Sequence, residues 1–283
     1  MIKRRRLLLQ AGALSALTAL SPALALAAPR SELWPRWQAH DPASRVTVDH
    51  STWAAFLDSY RHLGSDGVAL IDYQGAQAAR AGLHGYMKEL SAVPVSSLNR
   101  DEQFAYWANL YNALTVATVL DHYPVDSIRD IDISSGLFAN GPWGATLVEV
   151  EGQPLTLDDI EHRIMRPIWR DPRVHYAVNC AALGCPSLLA EPFTAATLEA
   201  QLEEGARAFI NHPRGARVED GELYVSSIYD WFQSDFGGSD KGVIRHLQTY
   251  AEPALAQQLA GIEEIAGDDY DWDLNDWRLD RGS

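Results

Sequence analysis

The stretch Gln103–Leu120, QFAYWANLYNALTVATVL, carries no charged side chain. It is long enough to suggest a membrane span, but Gln103, Asn109, Asn112, Thr115 and Thr118 interrupt it. It reads instead as a buried helix. Asp101 and Glu102 fall in its first turn, where carboxylates suit the helix dipole. At about 100° per residue from Phe104, Asn112 lies about 80° round and Asn109 about 140° round, beside Ala108, Val116 and Val119. An unpaired buried amide costs about 1–3 kcal/mol, so both asparagines need partners. Either they satisfy loop backbone inside the core, or they orient a catalytic group or a substrate.

Outward from this helix, Val46–Tyr60 reads as an entry loop and a helix, and Ala76–Leu90 as a second helix with Pro94 beyond it. On the other side, residues 147–150 suit a short strand and Glu151-Gly152 a turn. Thr156-Leu157-Asp158-Asp159 then opens a helix of capping-box type. On an α-helical wheel from Ile160, the residues Leu157, Ile164 and Ile168 form an apolar arc with Glu161 on its edge. His162 and Arg166 fall together on another face. An acidic group at a core edge needs a cation or donors. Arg173 and His175 are the candidates, and a structural salt bridge is the plainer reading.

Val174–Cys180 reads as a strand, with His175, Ala177 and Asn179 on one side and Tyr176, Val178 and Cys180 on the other. It leaves through Ala181-Ala182-Leu183-Gly184-Cys185-Pro186. Gly184 permits an unusual backbone, and Pro186 suits the first position of a helix. Cys185 would then sit at a helix N-terminus, where the dipole favours thiolate. Thr194–Phe209 reads as a long helix, Leu223–Ile228 as a strand, and Tyr229–Phe236 as an aromatic helix or loop. Asp268–Trp277 is an acidic, Trp-rich tail. Asn140-Gly141-Pro142 and Gly237-Gly238 suit turns.

The chain of 283 residues has a formal charge of −15. Lys3, Arg4, Arg5 and Arg6 precede the uncharged Leu7–Pro29, which contains Ala25-Leu26-Ala27-Ala28. A basic start, an apolar middle and an Ala-x-Ala site describe a secretory signal peptide over residues 1–27. Paired arginines before leucines resemble a twin-arginine export signal, so the expected location is the bacterial periplasm or the exterior, with no membrane span left after cleavage. Of the 23 basic residues, 19 then remain against 38 acidic ones, a charge of −19. Such a chain lacks the basic face that nucleic acid or anionic lipid requires. The only cysteines are Cys180 and Cys185. An oxidising compartment invites a disulfide between them. So short a loop contributes only about 2 kcal/mol by chain entropy.

Four blocks together resemble the family catalogued as domain of unknown function 547. They are Phe104–Ala113; Leu155-Thr156-Leu157 with Ile160-Glu161-His162 and Arg166; Asp171–Ala177 with Asn179-Cys180 and Cys185-Pro186; and Tyr270-Asp271-Trp272 with Leu274-Asn275. The resemblance implies a shared core and no activity. Its α+β pattern accommodates a papain-like arrangement by analogy. However, no cysteine heads the long buried helix, where papain-like enzymes carry theirs.

Two functions fit these residues. One is a thiol-dependent hydrolase or acyl transferase acting on a small molecule or a peptide. Cys185 is its nucleophile, His175 its general base, and Glu161 or Asn112 orients the base. Asn109, His162, Arg166, Arg173 and Asn179 then hold the substrate. The other is a non-catalytic binding or assembly domain with a structural Cys180–Cys185 disulfide. His162, His175 and the two cysteines match no standard zinc spacing, so neither a metal nor another cofactor is expected. The fold expected is α+β. It is a predominantly helical single domain with a small, mostly antiparallel sheet around residues 147–180 and 223–228. A helical segment over residues 28–95 precedes a core over residues 96–283.

Overall fold

The uncharged stretch forms the central helix, Arg100–His122, in a computed structural model that describes residues 29–135 and 141–278. Asn99 caps it by accepting a hydrogen bond from the Glu102 backbone, and Asp101 and Glu102 occupy the first turn. Every residue from Glu102 to Leu120 is buried, so the helix needs no polar face. Glu102 tolerates burial because its carboxylate accepts the Val48 N–H at 2.6 Å.

Other elements cover the helix on all sides. Trp53, Phe56 and Leu57 come from the helix Ser51–Tyr60. Leu83, Tyr86 and Leu90 come from Arg80–Ser91. From the far side come Ile160, Ile164, Leu198, Leu202 and Leu274. The expected second helix is present but broken into Tyr73–Ala76, a 3-10 turn at Gln77–Ala79, and Arg80–Ser91. A smaller core gathers Phe209, Tyr229, Phe236, Val243 and Leu247 around Tyr176.

The strands are short and mostly antiparallel. Val148–Val150 pairs with Gln153–Leu155 through the expected Glu151-Gly152 turn, where both residues have positive φ. Ala216–Glu219 pairs antiparallel with Glu222–Ser226, which takes Gly267–Asp269 as a parallel neighbour. A hairpin of Arg61–Leu63 and Ala69–Ile71 was not anticipated. The molecule is therefore α+β and one compact domain. Among the described residues, no helix is long and apolar enough to cross a membrane. The expected signal peptide over residues 1–27 and Asn140 of the expected turn lie outside the described residues.

Two local expectations are corrected. Val174–Cys180 is not a strand: Val174–Ala177 is one helical turn. The Asp171 side chain accepts the Arg173 N–H and starts that turn, and the Asn112 amide takes the backbone that follows. Cys185 heads no helix, because the next one begins at Leu198. The acidic tail is built into the fold, with Leu274, Asn275 and Asp276 buried.

Candidate functional site

The capping box at Thr156 forms as expected: Thr156 Oγ1 accepts the Asp159 N–H, and Asp159 accepts the Thr156 N–H. The helix it opens, Asp159–Met165, is a π-helix. The Arg166 N–H bonds the Glu161 carbonyl, five residues back. This wider turn corrects the α-helical wheel, which sent Glu161 and the His162–Arg166 pair to different faces. Single π-turns are rare and recur at functional sites. Here the turn brings Glu161, His162 and Arg166 to one side, all buried.

His175, on its helical turn, faces this set between two carboxylates. Its Nε2 lies 2.9 Å from Asp235 Oδ2, and its Nδ1 lies 3.5 Å from Glu161 Oε1. Arg166 Nε donates to the same Asp235 oxygen at 2.6 Å. One Arg166 Nη stands 3.0 Å from His162 Nδ1 and donates to the Pro29 carbonyl. Phe232 roofs the set. Its ring stacks on His175 at 4.4 Å, and the Arg166 guanidinium lies over it at 4.5 Å. Tyr111, from the central helix, donates to Glu161.

The charges are held in place. Burial pushes the Glu161 carboxyl up, but His162, His175 and Arg166 pull it down to about 2. Burial holds His162 down at about 4. Burial also raises the Asp235 carboxyl, yet hydrogen bonds from His175 and Arg166 hold it well below the usual range. Asp235 and Phe232 escaped the sequence reading. They lie in the aromatic Tyr229–Phe236 block, and no spacing ties that block to Glu161.

The other candidates lie elsewhere. Arg173 stays outside the set and pairs with Asp171 at 2.6 Å and Glu199 at 2.9 Å. Both helix asparagines clamp backbone. Asn109 bonds the N–H and carbonyl of Phe193, and Asn112 bonds the Ala177 carbonyl and the Asn179 N–H. Asn179 in turn accepts the Ala181 N–H and donates to the Pro186 carbonyl. The central helix thus fixes the entry to the cysteine turn, and Asn179 closes the turn on itself.

Within that turn, Ala181 has φ of +61°, a left-handed conformation that costs a side chain of order 1 kcal/mol or more. Gly184 is pressed against the tail: its N–H bonds the Asp271 carbonyl, and a Cβ there would stand 2.8 Å from the Asp271 nitrogen. Both thiols are free, with the sulfurs 2.6 Å apart. Cys185 Sγ accepts the Cys180 N–H at 2.9 Å, and Cys180 Sγ lies 3.0 Å from the Tyr270 hydroxyl. Burial pushes the Cys185 thiol up, but hydrogen bonds from the Cys180 thiol, the Tyr270 hydroxyl and the Cys180 N–H outweigh this and lower it. Cys180 moves the opposite way, raised by its hydrogen bond to Cys185 and by burial. Cys185 is therefore the more acidic thiol of the pair. Arg214 donates to the Leu183 carbonyl and to Ser187 Oγ, which clips down the loop on either side of Cys185. A cavity of 170 Å³ opens against the loop, lined by Leu183, Gly184, Arg214 and Tyr270 and by the acidic Asp66, Asp269 and Asp271; neither cysteine lines it. Tyr270 belonged to the closing block quoted above, but nothing in its spacing tied it to the cysteines.

No hydrogen bond or ion pair among the described residues joins His175 to Cys185. Tyr111 is bonded to Glu161 and lies within electrostatic reach of both cysteines. Among the described residues, no three or more His, Cys, Asp or Glu side chains are arranged to hold a metal ion.

Residues 95–210 match the model of a family described as protein of unknown function, DUF547. The match covers less than half of the chain. It contains Asn109, Asn112, Glu161, His162, Arg166, His175 and both cysteines, and it ends before Asp235 and Tyr270. No curated protein matches the chain, and no solved structure does.

Proposed function

We propose that the protein is an exported thiol-dependent hydrolase or acyl transferase with Cys185 as its nucleophile. The observation that carries this reading is the donation of the Cys180 N–H to Cys185 Sγ at 2.9 Å, with the Cys180 thiol against that sulfur and the Tyr270 hydroxyl bonded to Cys180 Sγ. A thiolate is the reactive form of cysteine, and hydrogen bonds to it replace the adjacent imidazole that many thiol enzymes use. His175 then acts at a distance. Held between Asp235 and Glu161, it stabilises the wall behind Tyr111 instead of taking the thiol proton.

In the first step Cys185 Sγ attacks an acyl carbonyl carbon and forms a C–S bond. The bond from that carbon to the leaving group breaks, and the leaving group takes a proton from the Cys180 thiol or the Tyr270 hydroxyl. Water or a second acceptor then attacks the thioester and returns the proton and the thiolate. The basic, leucine-rich start supports export.

The second reading, a structural disulfide, is favoured by the short distance between the sulfurs. Alkylation separates the two. Iodoacetamide at pH 7 is expected to label Cys185 in the native protein about tenfold or more faster than Cys180, and Tyr270→Phe is expected to slow that labelling. A complete Cys180–Cys185 bridge in protein taken from the periplasm, found by non-reducing mass spectrometry, would overturn the nucleophile and establish the disulfide.

A further inference from the structure

The Tyr270 hydroxyl is aimed at Cys180, the sulfur that does not attack in the acyl reaction: it lies 3.0 Å from Cys180 Sγ. Each sulfur therefore has a donor of its own, since Cys185 Sγ accepts the Cys180 N–H at 2.9 Å. The sulfurs are in direct contact, and both thiols are free. The backbone around them is already held. Asn112 accepts the Asn179 N–H, Asn179 bonds the Ala181 N–H and the Pro186 carbonyl, and Arg214 bonds Leu183 and Ser187 on either side of Cys185. No rearrangement of the loop is needed to bring the thiols together. Cys185 is buried, but Cys180 is only partly so, and a molecule as small as hydrogen peroxide can reach the pair from that side.

The acidities of the two thiols suit two successive steps. Cys185 is the more acidic, and the thiolate is the form that peroxides oxidise. The largest cause that holds the Cys180 thiol up is its hydrogen bond to Cys185, followed by burial. Oxygen on Cys185 removes the negative charge that this bond serves. The Tyr270 hydroxyl and the Ala182 N–H, which both lower Cys180, stay where they are. Oxidising the first thiol thus eases deprotonation of the second. The loop that a bridge would close is so short that chain entropy stabilises it by only about 2 kcal/mol. A bridge so weakly held by the fold is open to reduction.

We infer that Cys180 and Cys185 form a hydroperoxide-sensitive switch on the nucleophile, in which peroxide oxidises Cys185 and Cys180 resolves it to a disulfide that a dithiol reopens. The switch rests on Cys185 being the nucleophile. In the first step the Cys185 thiolate attacks one peroxide oxygen. An S–O bond forms, the O–O bond breaks, and the other oxygen leaves as hydroxide, which takes up the proton that Cys185 lost and becomes water. The sulfur gives up two electrons and the peroxide receives them. In the second step Cys180 Sγ attacks Cys185 Sγ. The S–S bond forms, the S–O bond breaks, and the oxygen leaves with the Cys180 proton as a second water. A dithiol reverses this by exchange and is itself oxidised to a disulfide. While the bridge is closed, Cys185 can neither attack an acyl group nor proceed to the irreversible sulfinic acid.

The test uses the full chain, reduced while folded with dithiothreitol, freed of it, and given one equivalent of hydrogen peroxide. Intact mass spectrometry is expected to show the loss of two hydrogens in an intramolecular bridge. Alkylation of Cys185 is expected to disappear with the bridge and to return with dithiothreitol. Cys180→Ser is expected instead to keep a sulfenic acid on Cys185 that dimedone traps, and Tyr270→Phe to close the bridge severalfold more slowly. If either variant fails to fold, the reversible bridge of the parent decides. No reaction with peroxide, sulfinic acid without a bridge, no dimedone adduct on Cys185 in folded Cys180→Ser, or a bridge that dithiothreitol cannot open in the folded protein would each overturn the switch. Alkylation of the reduced parent before peroxide is added keeps the two ideas apart. Cys185 labelled no faster than Cys180 there overturns the nucleophile itself, whereas fast labelling followed by no bridge overturns the switch alone.

Discussion

The ionic set beneath Phe232 and the thiol pair at the cysteine turn both lie within reach of Tyr111, yet they are built on opposite principles. In the first, every charge has a partner. Arg166, His175, Glu161 and Asp235 close on one another and on Pro29, and the site is roofed. In the second, strain and an opening coexist: a left-handed Ala181, a glycine pressed on the tail, two sulfurs side by side and a cavity against the loop. Fully satisfied buried networks hold a fold in one arrangement. Strained turns beside cavities are where reactivity is found. On the proposed reading, the histidine side of this region is structural support and the cysteines carry the chemistry.

The largest expected effect breaks the first region alone. Asp235→Ala leaves Arg166 and His175 without their shared carboxylate, and removing one partner of a buried ion pair costs about 3 kcal/mol. Urea denaturation is expected to show that loss, while the Cys185 alkylation rate in the folded variant stays near that of the parent. A large fall in alkylation would join the two regions again and restore His175 to the chemistry.

Acid is expected to weaken the fold next. His50, His162 and His246 are all held by burial at about 4, against 6.5 in an unfolded chain. Between those values the unfolded chain binds protons that the folded one refuses, so stability falls as pH drops from 6.5 to 4. Asp158 works the other way. Burial raises it from 3.8 to about 6, so the folded chain holds that proton more tightly. These histidines, joined by His212, which burial also lowers, outweigh Asp158 and leave a net loss on acidification of about 1.4 kcal/mol per pH unit for each unbalanced proton. Denaturation midpoints across this range test the slope, and His162→Gln is expected to flatten it. Stability that does not change with pH would mean that these histidines are not held neutral.

The smallest effect falls on the second region. Gly184→Ala forces a Cβ against the Asp271 backbone, and overpacking of this kind costs about 1–3 kcal/mol. The same change moves the loop that carries Cys185, so its alkylation rate is expected to shift severalfold. A stability loss with unchanged alkylation would make the turn a packing feature only.

Much of this was legible in the sequence. The central helix, its acidic first turn, the Thr156 capping box and the Glu151-Gly152 turn follow from local rules, and the structure follows the same rules there. The two asparagines were recognised as needing partners, and loop backbone supplied them. Legibility failed where a distant contact decided the local shape. Val174–Cys180 alternates like a strand, but no strand among the described residues pairs with it, and the Asn112 amide takes its backbone instead. His162 and Arg166 looked remote from Glu161 because the wheel assumed an α-helix, and the π-turn added the residue that brought them together.

The residues alone determined the helix-dominated α+β class, the buried central helix, the acidic character and the pairing of interest at Cys180 and Cys185. These depend on hydrophobic pattern, charge and short spacing, which are local in the chain. Only the tertiary structure chose the partners: Asp235 for His175, Tyr270 for the thiols, Arg214 for the cysteine loop, and Asp171 and Glu199 for Arg173. Each of these pairs except Arg173–Asp171 joins residues more than 25 positions apart. A hydrogen bond or an ion pair is set by distance in space, and distance in space is set by how the whole core packs.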